Sequence, residues 1–151
     1  MTTEYDSGKG TLVDTSEREV GSKPQVLIVD DEEPIREALR YAVEDAGFVA
    51  VEASNGYEAL EHLRRSRKAM VVLLDLMMPK MDGMQLLQIV GDESATLGRH
   101  RFILMAANPP TRPMPFTHLL TQLQVPVLSE PFDTDQMVNA VEIAASRLDD
   151  A

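Results

Sequence analysis

Residues 70–83 read Met-Val-Val-Leu-Leu-Asp-Leu-Met-Met-Pro-Lys-Met-Asp-Gly, and they are the most informative residues for the fold. An apolar run rich in Val and Leu predicts a strand that is buried on both faces, as in a parallel sheet. Asp75 ends the run, at the carboxyl end of the strand, where open α/β sheets place their ligand sites. Pro79 and Gly83 then turn the chain away. A lone Asp at this point could equally cap the turn, so its role depends on what lies beside it.

A second acidic strand end precedes this one in the chain. Residues 25–30 read Gln-Val-Leu-Ile-Val-Asp, and the acidic cluster continues through Asp31 and Glu32 to Glu33. If the two strands are parallel neighbours, their carboxylates converge at one edge of the sheet. The two strands together therefore predict an acidic site.

The composition bounds the class of protein. The chain has 151 residues, with 14 Lys and Arg against 25 Asp and Glu, and its formal net charge is −11. This length suits one domain, and the charge argues against a nucleic-acid binder, which needs cations to displace phosphate counterions.

The absence of cysteine excludes disulfides and thiol chemistry. Residues 1–6 lack the basic and then apolar order of a signal peptide, and no apolar run approaches the roughly 20 residues that cross a bilayer. We therefore expect a cytoplasmic protein without membrane insertion.

Strand and helix patterns alternate along most of the chain. We expect a flexible tail at residues 1–23, one domain at residues 24–148 and a short tail at residues 149–151. The expected strands are 25–30, 48–53, 70–75, 101–106 and 125–129, and the expected helices begin near residues 34, 55, 83, 116 and 133. Residues 91–99 have the composition of a polar loop, and the prolines between 109 and 115 exclude a helix there. Five βα repeats predict an α/β fold with a doubly wound parallel sheet.

Three short motifs resemble the receiver domain of two-component response regulators. They are Asp30-Asp31 after the first strand, Asp75 to Pro79 with Asp82-Gly83 after the third, and Pro131-Phe132 after the fifth. The resemblance covers about residues 24–148. It implies a flavodoxin-like three-layer sandwich with strand order 2-1-3-4-5, a signalling domain that is not an enzyme, and a cis peptide bond before Pro131.

The same resemblance assigns roles to the acidic residues. Asp75 would accept a phosphoryl group from a phosphohistidine on a sensor histidine kinase or phosphotransfer protein. Asp30 and Asp31 would hold Mg²⁺, with Asp75 and the backbone carbonyl of Met77 as further ligands. This set suits Mg²⁺, which prefers oxygen ligands and screens an incoming phosphoryl group. Without a cation, clustered carboxylates repel one another and resist full ionisation.

Three positions depart from the family pattern, and all three respond to the phosphoryl group in that family. Glu130 stands where the family has a lysine that reaches the phosphoryl oxygens. Met105 replaces the Thr or Ser that ends the fourth strand, and it cannot donate a hydrogen bond. Val127 replaces a switching aromatic residue on the fifth strand. Together they indicate an atypical receiver, of the pseudo-receiver kind, whose switch is lost or rebuilt.

Several other functions compete with the phosphoacceptor. An interaction module that works without phosphorylation stays open, because it explains the three departures. A haloacid-dehalogenase phosphatase needs a second Asp two residues after the nucleophile, where this chain has Met77. A flavodoxin-like FMN site needs a phosphate-binding first loop, which here is acidic. His62, His100 and His118 lack metal-ligand spacing, and we expect surface or half-buried positions for them. Because only three residues follow Leu148, we expect a stand-alone receiver or a fragment, with an unknown protein target.

Overall fold

Five parallel strands form the sheet that the apolar runs predict. The computed structural model describes residues 23–107 and 117–148. Its strands are β1 (Gln25–Val29), β2 (Val49–Ala53), β3 (Val71–Asp75), β4 (Arg101–Ala107) and β5 (Val127–Glu130). Neighbouring strands are parallel, and their order is β2-β1-β3-β4-β5. The predicted doubly wound α/β fold and its strand order are confirmed.

Helices cover both faces of this sheet. They are α1 (Glu33–Asp45), α2 (Gly56–Arg65), α3 (Gly83–Asp92), α4 (Ser94–Leu97), α5 (Thr117–Leu123) and α6 (Thr134–Leu148). Buried residues of α1 and α6 form a core with one face of the sheet. Buried residues of α2, α3, α4 and α5 form a second core with the other face. The result is the three-layer sandwich that the resemblance implies.

The central strands contribute to both cores because successive side chains point to opposite faces. Residues 26–29 and 71–74 are fully buried. Leu27 and Leu74 pack on the side of α2 and α3, whereas Ile28 and Leu73 pack on the side of α1 and α6. Burial of each such side chain contributes about 1.5–3 kcal/mol. In the ladder Val29 pairs with Leu74, so the residues that follow them, Asp30 and Asp75, lie at the same edge of the sheet.

Side-chain caps start three of the helices. Asn55 accepts a hydrogen bond from the Glu58 N–H at 2.9 Å, and α2 begins at the next residue. Asp82 starts α3 in the same way, through the Gln85 N–H at 2.8 Å. Asp133 starts α6 through the Gln136 N–H at 2.7 Å. These bonds satisfy backbone donors that have no partner inside the helix, and they confirm the predicted starts near 55, 83 and 133.

Two predicted boundaries are wrong. Residues 91–99 are not a simple polar loop, because α3 continues to Asp92 and the short helix α4 follows. Leu97, at the end of α4, is buried in the core, and a single apolar residue gives no periodic signal. The fifth strand begins at Val127 and not at residue 125, because the Val125 N–H bonds back to the Leu120 carbonyl at the end of α5.

One histidine also differs from the prediction. His62 and His118 are exposed, but His100 is only 2% exposed. Its Nδ1 accepts the Met70 N–H at 3.0 Å, and its Nε2 lies 3.3 Å from the Leu63 carbonyl oxygen. Because Nδ1 accepts, the ring is neutral and its proton is on Nε2. Burial is the main cause that lowers the pKa of His100 to about 4, and the charge of Arg99 adds to it.

Some predictions fall on parts of the chain that the structure does not describe. The tail up to residue 22, the proline-rich residues 108–116 and the last three residues all lie outside the described ranges. Within residues 23–107 and 117–148, no helix combines the length and the apolar character that a membrane span needs.

Candidate functional site

Three carboxylates meet at the carboxyl edge of the sheet. Asp75 is the last residue of β3, and Asp30 directly follows β1, its neighbour in the sheet. Asp31 comes next in the same loop. One carboxylate oxygen from each of the three lies within 4.8 Å of the others. The structure therefore brings together the acidic residues that the sequence singled out, in the geometry of a cluster able to hold a metal ion.

Asp30 is held on three sides. It is 3% exposed, and its N–H donates to the Ala53 carbonyl of β2 at 3.1 Å. Its Oδ1 accepts the Glu32 N–H at 2.9 Å, and its backbone carbonyl accepts Nη1 of Arg36 at 2.8 Å. The sequence patterns do not indicate Arg36. Its position within the first turns of α1, just after the acidic loop, is the signal that could have suggested a contact with that loop.

Backbone hydrogen bonds close the loop that follows Asp75. Oδ1 of Asp75 accepts the Met77 N–H at 3.3 Å. The Leu76 N–H donates to the Met105 carbonyl, and the Leu76 carbonyl accepts the Gly83 N–H, each at 3.0 Å. Gly83 approaches so closely that an added Cβ would lie 2.7 Å from the Asp75 carbonyl oxygen. These contacts hold the Asp75 carboxylate at the strand end, whereas Met77, the proposed carbonyl ligand, is 73% exposed.

The site is electrostatically unfavourable for its own carboxylates. Burial raises the pKa of Asp75 to about 7, and the negative charge of Asp30 is the next cause. Glu130 and Asp31 raise it further, against the lowering effect of the Met77 N–H. The pKa of Asp30 is also raised, first by burial and then by Asp31, Glu32 and Glu130. The charged groups that raise these two pKa values are carboxylates, so a bound cation would relieve the repulsion.

These residues fit a hard divalent cation. They offer carboxylate oxygens, which are the ligands that Mg²⁺ takes in proteins, and Mg²⁺ keeps several waters in such sites. Carboxylates that repel one another in its absence gain most from its charge. Asp30, Asp31 and Asp75 are therefore the residues in the described part of the chain that would hold Mg²⁺.

The three residues that we interpret as departures from the family pattern lie on β4 and β5. Met105 pairs in register with Asp75 and is 1% exposed, in the core between the sheet, α1 and α6. Val127 pairs with Leu104 and is 38% exposed. Glu130 ends β5, and its negative charge acts on both Asp30 and Asp75. The Glu130–Pro131 peptide bond is cis. The structure thus places the carboxylate of Glu130 where its charge opposes the ionisation of Asp30 and Asp75.

Comparison with known proteins identifies the family. Residues 26–142 match the family model of the response regulator receiver domain. The chain belongs to this family. Receiver domains are signalling domains of two-component systems and not classical enzymes, and histidine kinases phosphorylate them. Receiver domains generally bind Mg²⁺ at an acidic pocket, and this chain has such a cluster.

Individual receiver proteins are also similar. The transcriptional regulatory protein SrrA of Staphylococcus aureus is 49% identical over 61 residues, which cover 40% of this chain and 25% of SrrA. The crystal structure of a CheY-like receiver domain protein from Methanospirillum hungatei JF-1 is 28% identical with a TM-score of 0.71, and the match covers 84% of this chain and 98% of that one. The receiver domain of the Francisella response regulator 1452 is 27% identical with a TM-score of 0.70, over 82% of this chain and 98% of that one.

Proposed function

We propose that this receiver domain accepts a phosphoryl group on Asp75 from a sensor histidine kinase or a phosphotransfer protein. Asp30, Asp31, Asp75 and the backbone carbonyl of Met77 would hold Mg²⁺ during the transfer. The observation that carries the proposal is the convergence of the Asp30, Asp31 and Asp75 carboxylates within 4.8 Å at the end of β3. The output would be a contact with another protein, since the net charge of −11 disfavours direct binding to nucleic acid.

The chemistry required of Asp75 is that of a nucleophile. One of its carboxylate oxygens forms the new O–P bond while the P–N bond of the phosphohistidine breaks, and the bonding electron pair returns to the imidazole nitrogen. The nucleophile must be ionised, yet the pKa of Asp75 is raised to about 7 by burial and by its acidic neighbours. Bound Mg²⁺ supplies the positive charge that favours the carboxylate form and offsets charge on the phosphoryl oxygens.

Glu130 makes the proposed transfer slow. In place of a lysine ammonium, the site presents a carboxylate whose charge already acts on Asp30 and Asp75. Two like charges roughly 4 Å apart repel by about 4 kcal/mol at an effective dielectric constant of 20. For comparison, removal of one oxyanion-hole donor from an acyl-transfer enzyme costs about 2.7–4 kcal/mol. We therefore infer an atypical receiver that is phosphorylated weakly unless a partner supplies the missing cation.

A second function is an interaction module that works without phosphorylation. The burial of Met105 in the core favours it, because this residue has no hydroxyl for a phosphoryl group to attract. The exposed Val127 likewise offers no aromatic ring that could move between core and solvent. In that case the acidic cluster would be a structural remnant, and Asp75 would remain unmodified.

Labelling with a small phosphodonor distinguishes the two functions. The full chain is incubated with acetyl phosphate and Mg²⁺, and the gain of one phosphoryl group is followed by intact mass. We expect slow labelling of the wild type, none of Asp75→Asn, and wild-type labelling of Glu44→Gln, which removes an exposed carboxylate from α1. Equal labelling of the wild type and Asp75→Asn would reject the phosphoacceptor, and absence of labelling in every variant would favour the interaction module.

A further inference from the structure

Arg36 reaches from α1 to the loop that carries the acidic cluster. Its side chain is 14% exposed. Nη1 donates to the backbone carbonyl of Asp30 at 2.8 Å, and Nε donates to Oε1 of Glu52 on β2 at 3.0 Å. One planar guanidinium group therefore joins the end of β1 to β2. A fork of fixed geometry suits this double contact, since each of its donors points in a set direction.

Glu52 also forms an ion pair with a second arginine. Its second oxygen, Oε2, lies 2.9 Å from Nε of Arg40, one turn further along α1. The next residue on β2 is Ala53, whose carbonyl accepts the Asp30 N–H at 3.1 Å. The Asp30 backbone is thus anchored at its N–H by β2 and at its carbonyl by Arg36. We call the contacts of Arg36 with the Asp30 carbonyl and with Glu52 the α1–β2 clamp; Arg40 shares Glu52 but lies outside the clamp.

The hydrogen bond from Arg36 to the Asp30 carbonyl also restricts the acidic side chains of the cluster. The Asp30 carbonyl belongs to the peptide unit that joins Asp30 to Asp31, and this unit is planar. A hydrogen bond to its oxygen restricts the rotation of the whole plane, and with it the directions in which both side chains leave the backbone. Two of the three carboxylates in the cluster depend on that plane.

We propose that Arg36 is a positioning residue of the metal site: it sets the orientation of Asp30 and Asp31 through the Asp30 carbonyl, and so raises the affinity for a divalent cation. This inference rests on the proposed function, which places Mg²⁺ at these carboxylates. Groups that orient metal ligands from outside the coordination sphere typically change metal affinity about 10–100-fold when they are removed.

The direction of the change in metal affinity separates a positioning role of Arg36 from an effect of its charge. The Arg36 guanidinium is positively charged and contacts Asp30, one of the proposed metal ligands. Its charge alone therefore opposes the binding of a cation at that site. If only its charge mattered, a neutral residue at this position would strengthen binding. If its hydrogen bond positions the ligands, the same replacement weakens binding.

Mn²⁺ is a suitable probe because carboxylate sites that accept Mg²⁺ also accept it, and the electron paramagnetic resonance signal of free Mn²⁺ gives the dissociation constant directly. We expect Arg36→Met to weaken Mn²⁺ binding about tenfold. Arg40→Met is the matched control: it removes the same charge and a contact with the same Glu52, but no contact with Asp30, so its affinity should stay within about twofold of the wild type. Arg36→Lys keeps the charge and one donor, and should recover part of the loss.

Thermal unfolding of each variant without metal identifies any that does not fold, and Arg36→Lys then replaces Arg36→Met in the comparison. Unchanged or tighter binding by Arg36→Met, with wild-type binding intact, overturns the clamp and leaves the proposed function standing. An equal loss in Arg40→Met also overturns it, because Arg40 does not contact the loop. If the wild type does not bind Mn²⁺, the metal site of the proposed function fails, and the clamp fails with it.

Discussion

Asp75→Asn should stabilise the metal-free protein, by an amount that depends on pH. The substitution keeps an oxygen that accepts the Met77 N–H and removes a carboxyl group that lies close to those of Asp30 and Asp31. Burial and the charge of Asp30 raise the pKa of Asp75 from 3.8 to about 7. A pKa difference of one between the folded and unfolded states corresponds to about 1.4 kcal/mol, so full ionisation of Asp75 costs the folded state at most about 4 kcal/mol. Solvent reaches part of this site and screens its charges, so we expect about 2–3 kcal/mol.

The direction with pH is the reverse of that for a carboxylate in a salt bridge. Between pH 3.8 and about pH 7, the folded state retains a proton on Asp75 that the unfolded state has lost. Stability therefore falls as the pH rises through this window, and the loss is complete above the folded pKa. Asp75→Asn has no proton to lose at this position. Its stability advantage should be about 2 kcal/mol larger at pH 8 than at pH 5, after the same allowance for screening.

Urea unfolding in the presence of a chelator, at pH 5 and pH 8, measures this difference. Glu44→Gln provides the control, because it removes a carboxylate from an exposed position and should show no comparable difference between the two pH values. Addition of Mg²⁺ should stabilise the wild type more than Asp75→Asn, because a ligand that binds only the folded state raises its stability. An advantage of Asp75→Asn that is equal at pH 5 and pH 8 would refute the electrostatic account.

Three other measurements test separate parts of the structure. The lowered pKa of His100, which burial causes, means that the unfolded state binds the proton first as the pH falls from 6.5 to about 4. The wild type should therefore lose about 3 kcal/mol of stability relative to His100→Gln over that range, measured by urea unfolding. Glu130→Lys should raise the initial rate of acetyl phosphate labelling at least tenfold, which needs only about 1.4 kcal/mol; equal rates would show that Glu130 is not the obstacle. Beryllofluoride with Mg²⁺ should shift amide resonances near Asp75 but leave residues 117–130 largely unchanged, and a concerted shift through α5 and β5 would reveal a switch.

The fold was predictable because the apolar runs in the sequence coincide with the buried strands of the sheet. Residues 71–74 and 26–29 are fully buried, so nearly every position in their strands carries an apolar signal. The alternation of strands and helices then limits the topology to very few arrangements. The positions of Asp30 and Asp75 follow directly, because carboxyl ends of neighbouring parallel strands lie at one edge.

What could not be predicted depends on single contacts between distant residues. In the sequence, Arg36 cannot be distinguished from an ordinary exposed residue of a helix. Its contacts with Glu52 and with the Asp30 carbonyl appear only in the structure. His100 looked isolated because its partners are the backbone groups of Met70 and Leu63, which no side-chain pattern reveals. The short helix α4 depends on one buried leucine. Such contacts have no periodicity for a sequence pattern to display.

The most direct test concerns the proposed acceptance of a phosphoryl group by Asp75, in a metal site formed with Asp30 and Asp31. Tandem mass spectrometry of the full chain, after exposure to acetyl phosphate with Mg²⁺ or with a chelator, locates the modified residue. We expect one phosphoryl group, on Asp75, present with Mg²⁺ and absent with the chelator, in the wild type and more strongly in Glu130→Lys. A label on another residue, a label on Asp75 that is independent of Mg²⁺, or no label even in Glu130→Lys would contradict it.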